Sequence, residues 1–255
     1  MTINVQPVND PPTEDNPVDL TMTIDEDSMA EWDEASLLAP FVTGPDNENF
    51  PTTGGSQTLQ LAPTAFPTDS TNGGVVNYVV ENGDIKLQYT PRSDFNGIDE
   101  FVYTVIDDGQ SVALDGTIYS EPRIATKTVT VVVNPVNDKP RFSGAADQQH
   151  LENDGAISVP AWAENVLPGP ETATDEFNQT LNFVFDIKPG SDDIFATLPE
   201  VVIDSATNTG TLNYVLKDDV SGVAVFDVTV EDGGTDNSNL DRMVSDPPRQ
   251  VTVSV

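Results

Sequence analysis

Hydrophobic residues in this chain recur at every second position, in short runs. Val18, Leu20, Met22 and Ile24 alternate with polar residues, as do Ile85, Leu87 and Tyr89, then Phe101, Tyr103 and Val105, then Val129, Val131 and Val133. The second half does the same with Leu181, Phe183, Phe185 and Ile187, with Leu212, Tyr214 and Leu216, and with Val251, Val253 and Val255. A period of two sends alternate side chains to opposite faces of an extended chain, so these segments predict half-buried β-strands. Between them stand TNGG, ENGD, DFNG, EDGG and NTG, the turn chemistry that antiparallel neighbours need. Helix is nearly absent. Only DEDSMAEWDEASLL, residues 25–38, offers an N-cap and an acidic first turn, and it reads equally as a kinked strand.

The pattern is written twice. FVYTVIDDG aligns with FDVTVEDGG at an offset of 125, which places Phe101 on Phe226, Thr104 on Thr229 and Asp107 on Asp232. The same offset links Leu87 to Leu212, Tyr89 to Tyr214, Gly44 to Gly169, Pro45 to Pro170, Ser120 to Ser245 and Pro122 to Pro247. QTL at residues 57–59 recurs at 179–181, and QPVNDPP at 6–12 recurs as NPVNDKP at 134–140. Repetition on this scale divides the chain into residues 1–11 (the end of a preceding repeat and its linker), a first domain at 12–134, a linker at 135–140 and a second domain at 141–255. Each domain is then a unit of many short alternating strands, which predicts an all-β fold of two tandem antiparallel β-sandwiches of immunoglobulin type. The opening MTINVQPVND lacks the segments of a signal peptide and reads as the end of a strand already under way, with Met1 added to a fragment of a longer array.

Charge narrows what such a chain can do. Forty-three acidic residues against ten basic ones leave a formal charge of −33, which excludes nucleic acid and disfavours anionic membrane surfaces as partners. The sequence has no apolar run long enough to span a bilayer. Cysteine is absent and histidine occurs once, so disulfides, thiolate nucleophiles and zinc-type sites are out of reach. Neighbouring carboxylates about 4 Å apart repel by roughly 4 kcal/mol at an effective dielectric of 20, and either bound divalent metal or salt must offset that. The same acid excess also describes the solvated surface of a salt-adapted protein.

The two proline-framed strings carry the candidate chemistry. In a sandwich of this topology the loop before the last strand faces the preceding linker, so Asp107 and Asp108 fall near Asn9 and Asp10, and Glu231 and Asp232 near Asn137 and Asp138. The first strand ends at the opposite pole of domain 1, with the turn SDFNGID. The joint at 134–140 is thus expected to collect oxygen from Glu26, Asp94 and Asp99, from Asn134, Asn137 and Asp138, and from Glu231, Asp232 and Glu171. Calcium takes six to eight such oxygens in a forgiving geometry, whereas magnesium demands an octahedron and keeps its waters. The flanking prolines deny the linker a helix and restrict its backbone.

On these residues the chain resembles a known class. NxVNDxP is similar to the cadherin linker motif, with Asn in place of its first Asp, and YTPRSDFNGIDEFVYTVIDDG is similar to the cadherin-like tandem repeats of large bacterial surface adhesins, including the repeats-in-toxin class. The resemblance covers domain 1 and both linkers; domain 2 keeps the strands and drops the FNG turn. It implies an extracellular string of sandwiches on a bacterial surface, rigidified by Ca2+, that makes contact with neighbouring repeats of its own chain and supports adhesion or biofilm formation. Asn in place of Asp lowers the affinity expected of that linker.

Other readings compete at particular residues. Trp32 and Trp162 are sugar-stacking platforms or core residues. His150 reads as a surface residue, and Asp192 with Asp193 has no pocket around it to make a catalytic pair, so no enzyme is expected. GQSVALDGTIYSEPRIA and GGTDNSNLDRMVSDPPRQ, which interrupt each repeat before its last strand, form the alternative functional surface, suited to a glycan or peptide.

Overall fold

The computed structural model describes residues 3, 5–15, 17–45, 48, 50–51, 54–62, 69–82, 84–236 and 239–255. Met1, Gly83 of the ENGD turn, and Asn237 with Ser238 of the second long segment lie outside the described residues. The chain divides into two compact units, Met1–Asn134 and Pro135–Val255. It is all-β, and each unit is built around two main sheets, with short two-stranded pairs beside them.

In the first unit, strands β1 (Thr21–Asp25), β2 (Ala30–Asp33), β3 (Leu59–Leu61), β4 (Val75–Glu81), β5 (Asp84–Thr90), β6 (Gly97–Asp107) and β7 (Ile124–Asn134) form sheets ordered β1-β7-β6-β3 and β2-β5-β4. β1 runs parallel to β7, with Met22 beside Val131, and the remaining pairs of these sheets are antiparallel. Alternation decides which face of each strand is buried. Phe101, Tyr103 and Val105 point inward and are at most 3% exposed, while Val102 between them is 47% exposed. Inward residues of both sheets meet in one core, where Trp32 packs edge-on against Phe101 at 5.6 Å between ring centroids and Tyr89 stacks on it at 5.9 Å. Burying side chains of this size contributes roughly 1.5–3 kcal/mol each.

The ambiguous stretch at 25–38 resolves into both of its readings in turn. Asp25 ends β1, a turn follows, Ala30–Asp33 form β2, and a single helical stretch, α1 (Glu34–Leu38), comes next, with the Asp33 carboxylate accepting from the Ser36 N–H at 2.7 Å. α1 stops after five residues and sinks Leu37 into the core, where its carbonyl accepts the Tyr103 hydroxyl at 2.7 Å.

The second unit repeats the plan with β8 (Arg141–Gly144), β9 (Gln148–Gln149), β10 (Ala156–Leu167), β11 (Asn182–Ile187), β12 (Phe195–Asp204), β13 (Thr209–Leu216), β14 (Val223–Glu231) and β15 (Arg249–Ser254). Its sheets are ordered β8-β10-β13-β12 and β9-β15-β14-β11, and β9 runs parallel to β15 just as β1 runs parallel to β7. Trp162 is 4% exposed and donates from Nε1 to the Ala146 carbonyl at 2.9 Å, and Trp32 is 6% exposed. Both tryptophans are therefore core residues, with no face free for a sugar.

Candidate metal centres

The register of β6 and β7 sets the two poles of the first unit. Ile106 pairs with Ile124 at one end and Gly97 with Val133 at the other, so Asp107 and Asn134 sit at opposite ends of the sheet.

At the Asp107 end, Asn9 is 2% exposed and donates from Nδ2 to Asp107 Oδ1 at 2.8 Å and to the Glu121 carbonyl at 2.8 Å. Gln57 Nε2 donates to Asn9 Oδ1 at 2.7 Å and to Glu48 Oε2 at 2.8 Å, and the Asp10 N–H reaches Glu48 Oε1 at 3.3 Å. Glu48 is 6% exposed, and burial pushes its carboxyl upward. Asp107 Oδ1 also accepts the N–H groups of Gly109 and Arg123, at 2.9 and 3.0 Å. Its second oxygen, Oδ2, is buried with no hydrogen-bond donor among the described residues. Asp108 is exposed and engaged by Thr58, whose N–H and hydroxyl approach it at 2.7 and 2.9 Å.

The second unit rebuilds this cluster residue for residue. Asn137, 4% exposed, donates from Nδ2 to both oxygens of Asp232 at 3.3 Å and to the Asp241 carbonyl at 2.7 Å. Gln179 Nε2 donates to Asn137 Oδ1 at 2.7 Å, and the Asp138 N–H to Glu176 Oε1 at 2.5 Å. Asp232 Oδ1 accepts the N–H groups of Gly234 and Met243, each at 3.0 Å. Glu176 is 2% exposed, and its Oε2 has no donor among the described residues. Burial, reinforced by the charges of Asp138, Asp175 and Asp232, pushes this carboxyl up to about 7. Glycine is required beside both asparagines: a Cβ on Gly109 or Gly234 would collide with the amide of Asn9 or Asn137.

At the other pole of the first unit, the Glu26 N–H donates to the Asn134 carbonyl at 2.9 Å and Asn134 Nδ2 to Asp25 Oδ1 at 3.1 Å. Asp27 and Asp94 both have left-handed backbones, φ 59° and 54°, and bring carboxylate oxygens within 4.8 Å of each other. Glu26 is 4% exposed. Asp99, at the same end and 1% exposed, is committed elsewhere: it accepts Thr71 Oγ1 at 2.8 Å, the Asn72 N–H at 2.9 Å, the Tyr89 hydroxyl at 2.7 Å and the hydroxyl of Ser70.

Glu171, Glu231 and His150, like Asp99, sit differently from what the sequence context suggests. Glu171 is exposed and ion-paired with Arg141 at 3.2 Å; the buried carboxylate of its loop is Glu176, five positions on. Glu231 lies at 3.6 Å from Arg242. His150 is not a free surface residue. Its side chain is 13% exposed, with Nε2 at 2.5 Å from the hydroxyl of Tyr214, because the β9 to β10 connection folds it back against β13.

Glu48, Glu176, Gln57 and Gln179 carry no metal-site motif of their own in the sequence. The signal was present: Glu48 and Glu176 differ by 128, the offset that separates Asp10 from Asp138. The far end of the second unit was also missed. There the Asp219 N–H donates to Asn153 Oδ1 at 2.9 Å, and Asp219 has φ 54° like Asp94, 125 positions earlier.

No known protein family and no curated protein matches the chain. Solved structures do resemble it. Human protocadherin-24 EC1-2 has 15% identity and a TM-score of 0.46, with 99% of each chain covered. The human desmocollin-1 ectodomain has 13% identity and a TM-score of 0.39 over 96% of this chain and 41% of that one. CfaE, the adhesive subunit of the CFA/I fimbria of enterotoxigenic Escherichia coli, has 11% identity and a TM-score of 0.29 over 95% and 99%. The two-sandwich description rests on this chain's own strand pairing.

Proposed function

We propose that the chain is a segment of an extracellular bacterial adhesin whose sandwich units bind Ca2+ where their linkers enter and leave, so that the ion stiffens a string of repeats for cell adhesion or biofilm formation. The boundaries belonging to this reading are a preceding linker ending at residue 11, units at 12–134 and 141–255, and a joint at 135–140. One observation carries it. At the linker pole of each unit the same buried set of Asn, Asp, Glu and Gln leaves a carboxylate oxygen without a donor, Asp107 Oδ2 in the first and Glu176 Oε2 in the second. Buried carboxylates without a positive partner are costly, and a fold that builds the arrangement twice makes a cation the natural complement.

The donors suit calcium. Carboxylate, amide and main-chain oxygens surround both sites, and neither contains His or Cys, which a later transition metal would prefer. Asn9, Asp10, Glu48 and Asp107 would hold the ion in the first unit, and Asn137, Asp138, Glu176 and Asp232 in the second. Glu26, Asp27 and Asp94, with the amide and carbonyl of Asn134 beside them, form a further oxygen-rich group at the far pole of the first unit. The partners in this reading are neighbouring repeats, and no catalytic step is assigned.

Thermal melting combined with solution scattering tests it. At calcium a hundredfold above its dissociation constant the gain is about 2.7 kcal/mol, which raises the melting temperature by about 10 °C for a unit of this size, and the scattering envelope lengthens and narrows. Identical melts and scattering in calcium and in chelator leave the acid as a solvated surface and nothing more.

A further inference from the structure

Basic side chains are scarce in this protein, ten in all, yet two arginines of the second unit face the same hollow. After Ser143 the chain leaves one sheet for the other through Gly144 and Ala145, both left-handed at φ 81° and 56°. Because β9 pairs with β15 only at Val253 and Ser254, the start of β15 is left open beside β8. The resulting hollow, about 350 Å³, has Pro140, Arg141 and Phe142 on one wall and Pro247, Pro248 and Arg249 on the other. It shares Arg141 and Phe142 with a second hollow of about 310 Å³ that includes Asn165 and Glu171, and those two residues also line a third, of about 370 Å³, beside Phe177.

We propose that this run of hollows binds an oligosaccharide bearing a carboxylate, gripped by Arg141 and Arg249, with Phe177 stacked on a neighbouring ring. A guanidinium presents a planar fork that matches a carboxylate with two hydrogen bonds. Neither arginine is deeply committed. Arg141 is held by a solvent-exposed pair with Glu171 at 3.2 Å, and Arg249 has one long side-chain bond, from Nε to the Ala145 carbonyl at 3.5 Å. Exposed pairs of that kind contribute little, so a ligand carboxylate can displace Glu171. Phe177 is 54% exposed and offers the flat apolar face that a sugar ring requires.

Asn165 Nδ2 donates to Ser143 Oγ at 2.9 Å, leaving the amide oxygen to accept a sugar hydroxyl. Three linked hollows fit a short chain of rings better than a compact anion. An extended peptide is disfavoured because Pro140, Pro247 and Pro248 have no N–H to offer, and the β8 register is broken between Arg141 and Ser143. Asp246 on the rim is at 3.7 Å from Lys139, which offsets its charge beside the two arginines.

Calorimetric titration of the whole chain in calcium-containing buffer tests this, with trigalacturonate and sialyllactose as acidic probes and maltotriose and lactose as neutral controls. The expected result is saturable binding of at least one acidic probe with Kd on the order of 1 mM or tighter, and none of the neutral sugars. Arg141→Gln, Arg249→Gln and Phe177→Ala should each weaken it about tenfold, and Glu171→Gln should strengthen it by freeing Arg141. All four side chains are exposed, so melting temperatures should hold. The proposal is overturned if neither acidic probe binds, if neutral sugars bind equally, or if the arginine variants bind like the parent, which would assign the carboxylate to bound calcium instead.

Discussion

Replacing Glu176 with glutamine should raise the melting temperature of the calcium-free protein and lower that of the calcium-loaded one. The first effect follows from the carboxyl's position, 2% exposed and facing the charges of Asp138, Asp175 and Asp232, which together with burial push it from 4.5 up to about 7. A raised acid holds its proton in the native state where the unfolded chain has lost it. The metal-free protein therefore loses stability as pH rises from 4.5 to about 7, and stays at the lower level above that. A shift of this size corresponds to about 3 kcal/mol. Glutamine keeps an oxygen for the Asp138 N–H and removes the charge, so that loss disappears. The second effect has the opposite sign because calcium stabilises the ionised form, and the variant lacks one anionic ligand. Melting curves at roughly pH 5 and pH 8, each with calcium and with chelator, separate the two effects. A uniform destabilisation in all four conditions would make Glu176 a packing residue.

Asp99→Ala should be among the most damaging substitutions in the first unit, at about 3 kcal/mol or more, with no effect specific to calcium. Burial alone would raise the Asp99 carboxyl, but the hydroxyls of Ser70, Tyr89 and Thr71 and the Asn72 N–H outweigh it and hold the group below its usual 3.8. A depressed acid stabilises the fold above its unfolded value, and that contribution fades as pH falls through the folded one. The penalty of Asp99→Ala is thus full at neutral pH and shrinks below about pH 4. Chemical denaturation at both pH values measures it. A calcium-induced stabilisation lost along with Asp99, at equal residual stability, would instead return this residue to the metal site.

The strands could be read from the sequence because alternation is a local signal: Phe101, Tyr103 and Val105 go inward whatever lies elsewhere in the chain. Three of the four ion-holding residues in each cluster were legible for a similar reason, since Asn9 with Asp10 and Asn137 with Asp138 stand in repeated strings and Asp107 and Asp232 end matching strands. Glu48 and Glu176 come from irregular loops where no periodicity marks a buried position, and only the shared offset of 128 points to them. Asp99 looked like a free ligand because its donors Ser70, Thr71 and Tyr89 are brought to it by tertiary pairing. His150 was misplaced on the surface for the same reason, as Tyr214 lies 64 residues away.

Titration calorimetry of Ca2+ into chelator-stripped protein tests the central claim most directly. Saturable binding is expected, with Asp107→Ala removing sites of the first unit and Asp232→Ala removing sites of the second. Absence of saturable binding, or a binding curve that neither substitution changes, would contradict the account.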